Sequence, residues 1–276
     1  MFNFPIGDLF DSLVRFLRDN LGPVFDGISW LLDSLISAFE FVIGFAPAIV
    51  TIVILALLAW KAAGKGIGVF TLVGLILIDA MGLWMNAVET LSLVLVSAII
   101  ALIIGIPLGI IASRSHKADN LIRPVLDFMQ TMPAFVYLIP AVFFFGLGKV
   151  PGAVATIIFS MPPVVRLTNL GIRQVPVNVE EAGRSFGSTP KQMLFKIQLP
   201  IALPTILAGI NQTIMLALSM VVISAMIGAQ GLGSPVYSGI QNLRIGQGFE
   251  GGLAVVILAM ILDRVTQALG DSSSNK

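Results

Sequence analysis

From about residue 88 to residue 112 the chain carries one charge, Glu89, in a run otherwise built almost entirely of apolar and small residues. A stretch of that length has one stable setting. Roughly 20 apolar residues wound as a helix cross the hydrocarbon of a bilayer while satisfying their own backbone hydrogen bonds. The rest of the sequence agrees: 57% of residues are hydrophobic and 11% charged, against about a quarter charged in an ordinary soluble domain. Mean hydropathy is +0.97. We therefore read an all-α integral membrane protein. Seven spans are expected, at about 41–60, 66–85, 88–112, 131–148, 150–170, 204–228 and 251–269. Pro133, Pro140, Pro151, Pro162 and Pro163 interrupt the region 131–170. They mark ordinary kinks, or else close packing around a pathway.

Composition also removes whole classes of function. Net charge is +1, which gives no basis for nucleic-acid binding. Cysteine is absent and His116 is the single histidine, so neither thiol catalysis nor a histidine metal cluster is expected. Glu180 and Glu181 are adjacent on one expected helix and do not face each other across a site. The first twenty residues mix Asp8, Asp11, Arg15, Arg18 and Asp19 with apolar residues, and lack the uninterrupted apolar core of a signal peptide.

Charge distribution suggests an orientation. With the polar segment near residue 190 placed inside, alternating spans put Lys61, Lys65, Arg114, Lys117, Arg123, Arg166, Arg173, Arg184, Lys191, Lys196, Arg264 and Lys276 on the same side. Only Arg15, Arg18, Lys149 and Arg244 fall outside. The positive-inside rule then predicts an outer N-terminus and an inner C-terminus, with Trp84 and Trp60 as interfacial anchors. Residues 1–40 form a separate segment. Phe10, Leu13, Phe16 and Leu17 recur at helical spacing between Asp11, Arg15 and Arg18, the pattern of an amphipathic helix in the outer interface. It is read as a scaffold, with docking of an external partner as the alternative. Residues 41–85 hold two accessory spans, and 269–276 a short cytoplasmic tail.

Residues 171–203 break the apolar pattern with strong helix punctuation. Asn178 is a candidate cap, with Glu181 three positions on. Glu180 and Arg184 are spaced as an exposed pair. Gly187 is placed to end the helix with positive φ, and Thr189-Pro190 to start another. Leu199-Pro200 is expected to end that second helix, and Pro204 to begin the next span. Val179, Ala182, Gly183 and Phe186 form one stripe, small residues around an aromatic, suited to a partner's groove.

The spacing E-A-G-x3-G-x9-I-x-L-P, made here by Glu181-Ala182-Gly183, Gly187, Ile197, Leu199 and Pro200, resembles the EAA loop of ABC importer permeases. Over roughly 86–268 the chain resembles permeases of binding-protein-dependent ABC importers with the MetI-like fold, most narrowly those for glycine betaine and proline betaine. The runs that carry this narrower likeness are Met129 to Tyr137, Met161 to Arg166, Leu207 to Gln212, Ala217 to Val222 and Gly228 to Gly233. Gly183 departs from the loop's frequent alanine, and both are small. The resemblance implies a type I importer transmembrane domain over 86–268, with the coupling loop at 178–200. Its coupling residues would be Glu181, Ala182, Gly183, Phe186 and Gly187.

No G-x-x-x-x-G-K-[ST] phosphate loop occurs, and no long polar segment offers a binding domain. The resemblance thus implies ABC ATPase subunits that bind ATP and Mg, an extracytoplasmic substrate-binding protein and a second permease copy. The chain itself would have no cofactor and no catalytic residue, and would sit in a bacterial cytoplasmic membrane. Candidate pathway residues are Tyr137, Asn211, Gln212 and Ser219, beside Thr213, Phe135 and Phe143 to Phe145. Asp79 is an intramembrane carboxylate near the outer end of its span. Segment 229–250, with Gln230, Tyr237, Gln241, Asn242, Arg244 and Glu250, is expected at a docking site or outer gate. Permeases for choline, carnitine or proline are alternatives, as is an ion-coupled secondary transporter.

Overall fold

The computed structural model describes residues 6–274, and among these no strand occurs. The helices are α1 (Ile6–Gly44), α2 (Ala48–Ala63), α3 (Lys65–Ala80), α4 (Trp84–Arg114), α5 (His116–Thr131), α6 (Ala134–Phe145), α7 (Lys149–Ser160) and α8 (Pro162–Arg173). They continue with α9 (Val177–Ser185), α10 (Pro190–Gln192), a π-helical turn (Met193–Gln198), α11 (Leu199–Ser219), α12 (Val221–Ala225), α13 (Gly233–Gln241) and α14 (Ile245–Ser274).

Five stretches are long and apolar enough to cross a membrane: Phe10–Gly44, Trp84–Arg114, Lys149–Arg173, Pro190–Ala225 and Ile245–Ala268. This redraws the expected spans in four places. The expected boundary at residue 40 lies inside α1, which runs on to Gly44. The helix is kinked at Leu21, two residues before Pro23, and the chain next breaks ahead of Pro47, which withholds its N–H. The span expected at 41–60 is therefore the end of α1 followed by the shorter α2. The span expected at 131–148 is only α6, 12 residues or about 18 Å, too short to cross alone. Pro133 holds Met132 extended, and α5 meets α6 at 99°. Residues 66–85 end as helix at Ala80, and α4 already starts at Trp84. Finally, no break occurs at Leu199-Pro200. The wide turn Met193–Gln198 passes directly into α11, absorbing the bond that Pro200 cannot make to Lys196.

The core is organised on α4. Its Val94 and Ala98 pack on Ile214, Ala217 and Leu218 of α11. Lower on α4, Gly105 and Gly109 lie four residues apart and let α8 approach almost to backbone contact. A Cβ at Gly109 would lie 2.7 Å from the Val165 carbonyl oxygen. Such small-residue seams bring membrane helices together by dispersion, where no hydrophobic driving force acts between them. The helix α1 is amphipathic and runs across three neighbours. Ile36 packs with Leu93, Val96 and Ala153, and Leu32 with Ala101 and Ile157. Phe25 stacks on Phe144 with centroids 4.3 Å apart, and Arg18 lies over Phe143. Its acidic residues are partly spent on Lys149, which reaches Glu40 at 3.1 Å and Asp33 at 3.4 Å.

At the other end of α4 a charge network fixes α5 against α8. Asp119 accepts from Asn169 at 2.8 Å and pairs with Arg123 at 3.0 Å and Arg173 at 3.4 Å. Arg173 also donates to the carbonyl of Ala112. The Asp119 side chain is 8% exposed, while both arginines keep access to water. Replacing Asp119 by alanine is expected to cost about 2 kcal/mol, because the amide of Asn169 loses its acceptor and Arg173 its counter-charge. Thermal unfolding in detergent would register it, and Asp119→Asn should lose less.

Candidate coupling loop and translocation path

The helix α9 and the π turn form a hairpin whose inside and outside faces are set by local bonds. Its first helix opens at Pro176 with no side-chain cap, so Asn178 lies inside the helix and does not cap it. The far end closes as a Schellman motif. Ser188 N–H donates to the Gly183 carbonyl and Gly187 N–H to that of Arg184. Gly187 takes φ of 76°, which a side chain would strain. The next helix begins with a full capping box, Thr189 and Gln192 each bonding the other's backbone. Glu180 pairs with Arg184 at 3.5 Å, as its spacing predicts. It also accepts from Gln198 at 2.7 Å, which ties the two halves of the hairpin together. Arg114 at the end of α4 anchors the hairpin through the Pro190 carbonyl at 2.7 Å.

These bonds turn α9 differently from the stripe read in sequence. Gly183 is buried. A Cβ there would lie 2.6 Å from Ile197 Cδ1 and 2.9 Å from Met193 Cε, so this glycine lets α9 settle on the π turn. It does not belong to the outward surface. Val179 is half-buried beside it. The outward face is Val177, Asn178, Glu181, Ala182, Ser185 and Phe186. Phe186 is 91% exposed, an aromatic ring with almost no contact to its own chain. A rigid helix end presenting one bare aromatic, two small residues and one carboxylate has the chemistry of a protein-docking knob.

The candidate pathway residues are not brought together on one surface. Tyr137 is buried, and its hydroxyl donates to the Met129 carbonyl, bracing the bend between α5 and α6. Phe143, Phe144 and Phe145 form an aromatic cluster with one another and with Phe25 of α1, while Phe135 is exposed. Asn211 turns to α14 and donates to Asp263 at 2.9 Å. Gln212 and Ser219 share an exposed stripe of α11, and Thr213 is buried. Asp79 is half-buried at the end of α3. Sequence reasoning passed over Asp263, an acceptor for both Asn211 and Gln267. Its signal was a lone carboxylate inside the last apolar run.

Segment 229–250 is sewn to the start of α4. Thr90 accepts from Leu232 N–H at 2.8 Å, and Asn86 donates to the Gly231 carbonyl. From this base α13, the turn after it and the start of α14 expose Ile240, Leu243, Ile245 and Phe249. Arg244, Gln241, Asn242 and Glu250 lie on the same exposed edge.

Comparison with known proteins gives this geometry a context. Residues 105–273 match the family model of the binding-protein-dependent transport system inner membrane component. The chain is 52% identical to the glycine betaine transport system permease protein OpuAB of Bacillus subtilis, over 95% of this chain and 93% of that one. It is 54% identical to the glycine betaine/proline betaine transport system permease protein ProW of Escherichia coli, over 92% of this chain and 72% of that one. Against the glycine betaine/carnitine transport permease protein GbuB of Listeria monocytogenes the figures are 50%, 99% and 98%. Inward-facing structures of the MetNI methionine ABC transporter superpose with a TM-score of 0.63, 22% identity, 71% coverage of this chain and 98% of theirs. That likeness carries the fold alone, the MetI-like arrangement expected from the sequence. With a family model matching well over half its length and relatives identical at half their positions, the chain belongs to the family of binding-protein-dependent transport system inner membrane components.

Proposed function

We propose that this chain is the membrane-spanning permease subunit of an ATP-driven importer for glycine betaine or a related quaternary-ammonium osmoprotectant. The observation that carries this is 50–52% identity, over nearly the whole chain, with permeases named for glycine betaine, joined to an outward helix that ends in a bare phenylalanine. Two copies would form the path, driven by a pair of ATPase subunits that bind ATP and Mg. An extracytoplasmic binding protein would supply substrate at the surface made by segment 229–250. The N-terminus would lie outside and the C-terminus in the cytoplasm, as the lysine and arginine distribution indicates. The domain division would be the N-terminal segment, an accessory pair of helices and the permease core.

In this mechanism ATP binding closes the two ATPases and draws the two α9 hairpins together. The permease halves rotate and open outward, and hydrolysis returns them inward. Glu181, Ala182, Phe186 and Gly187 transmit the movement, with Gly183 holding α9 on its support. A zwitterionic betaine needs only weak neutral contacts along the path, such as Gln212 and Ser219, since tight binding would slow release.

Uptake of labelled glycine betaine in a transporter-deficient bacterial strain tests this reading. The chain is expressed with its ATPase and binding protein, beside a control whose ATPase cannot hydrolyse ATP. Uptake is expected in the first and none in the control. Uptake that persists in the control would overturn ATP coupling. Absence of uptake from an assembled complex would move the substrate to choline, carnitine or proline.

A further inference from the structure

Between α2 and α3 on one side and α4 and α14 on the other lies an apolar cleft of about 330 Å³. That is roughly twice the ~150 Å³ apolar cavity that stays dry and takes up benzene. Its floor is buried Ala59, Leu75, Val88 and Leu91. Its rim carries exposed Leu58 and half-buried Trp84. The shape is elongated. On α14 the lining runs from Leu258 to Val265 and on α4 from Trp84 to Leu91, each about 10 Å of helix. One polar residue lines it, Thr71, which is fully buried and whose Oγ1 has no hydrogen-bond partner.

The cleft is not the result of loose packing between hairpin and core. A Cβ at Gly74 would lie 2.7 Å from Ile257 Cγ2, so α3 and α14 are pressed together next to it. The hairpin α2–α3 and the α4 residues that line the cleft all precede residues 105–273, the part matched by the family model, and only the α14 wall, from Leu258 to Val265, lies within it. An empty apolar space of this size forfeits dispersion contacts along its whole lining. Water has only Thr71 to bond and cannot fill it. At membrane depth, the abundant species that is apolar, elongated along the helix axes and free to enter past Leu58 is a lipid chain. We propose that this cleft holds one acyl chain of a membrane phospholipid, wedged between the α2–α3 hairpin and the permease core. The lipid then acts as a structural part of the hairpin's attachment, and bilayer composition gains a direct contact with α4.

Trp84 on the rim provides the test. The chain has three tryptophans, and Trp30→Phe with Trp60→Phe leaves Trp84 as the sole reporter. The full chain, reconstituted in nanodiscs, is titrated with phosphatidylcholine brominated on its acyl chains, which quenches tryptophan on contact. Two cleft-filling variants, Ala59→Leu and Ala62→Leu, are titrated beside it. The second alters a half-buried rim position that tolerates added volume even where the first disturbs folding. The expected result is quenching that saturates at a low fraction of brominated lipid and is lost in the filled variants. Native mass spectrometry should show one retained phospholipid per chain, absent from the filled variants. Quenching that follows bulk lipid composition equally in all variants would mean only annular contact and would overturn the proposal. Absence of quenching at Trp84 would mean that protein, such as a second copy, covers the cleft, and would equally overturn it.

Discussion

Phe186→Ala should weaken capture of the ATPase subunits at least ~30-fold, about 2 kcal/mol, while leaving the permease as stable as before. The ring is 91% exposed, so its own chain loses almost nothing on truncation. A partner that encloses it would lose the full burial of an aromatic side chain. Co-purification of ATPase with tagged permease, alongside thermal unfolding of permease alone, separates the two effects. Equal capture by both proteins would mean that docking uses another surface. Glu181→Ala is the natural comparison. Its carboxylate is exposed midway along α9 and its loss should change affinity by less than about 1 kcal/mol, mostly at low salt.

The largest structural effect is expected at the seam of α4 and α8. Gly109→Val places its first carbon 2.7 Å from the Val165 carbonyl oxygen and 2.6 Å from Thr168 Cβ. Backbone on a packed helix cannot step aside as a side-chain tip can. The cost should reach the upper end of overpacking, about 3 kcal/mol, against a total stability of order 5–15 kcal/mol. Expected readouts are a large fall in membrane-inserted protein and a broadened, lowered thermal transition. Gly66→Ala is the control, since a Cβ there meets nothing within 4 Å. Were the two substitutions tolerated alike, the close approach of α4 and α8 would not be what holds the core.

What could be read without a structure was whatever is decided locally. Lipid immersion follows from runs of apolar residues. The helix start at Thr189-Pro190, the pair Glu180–Arg184 and the positive φ at Gly187 are all settled within five residues of chain, although the cap expected at Asn178, equally local, did not form. The facing of α9 was not local. Its periodicity allowed Gly183 to point outward, and contact with Met193 and Ile197 decided otherwise. Pro133 was legible as a break, but neither the 99° bend nor the Tyr137 hydroxyl that reaches the Met129 carbonyl across it was. Asp119 meets Asn169 fifty residues away, and Lys149 meets Glu40 across 109. Such partners have no periodic signature. The same applies to Asn211 and Asp263, where each side chain alone reads as a stray polar residue in a span.

The passage from α10 through the π turn into α11 is unbroken as far as Ser219, and α12 continues the run to Ala225 after one turn residue, Met220, so that Pro190–Ala225 acts as one lever. Its 36 residues amount to about 54 Å at helical rise. Tilted by about 10° about Ala217, where it presses on α4, it carries the hairpin end roughly 7 Å and the far end roughly 2 Å in the opposite direction. A displacement delivered at the hairpin therefore emerges at the far side of the bilayer as a swing of opposite sense. The contact of Ala217 with α4 thus acts as an off-centre fulcrum, and a large movement at the hairpin becomes a small one at the far side.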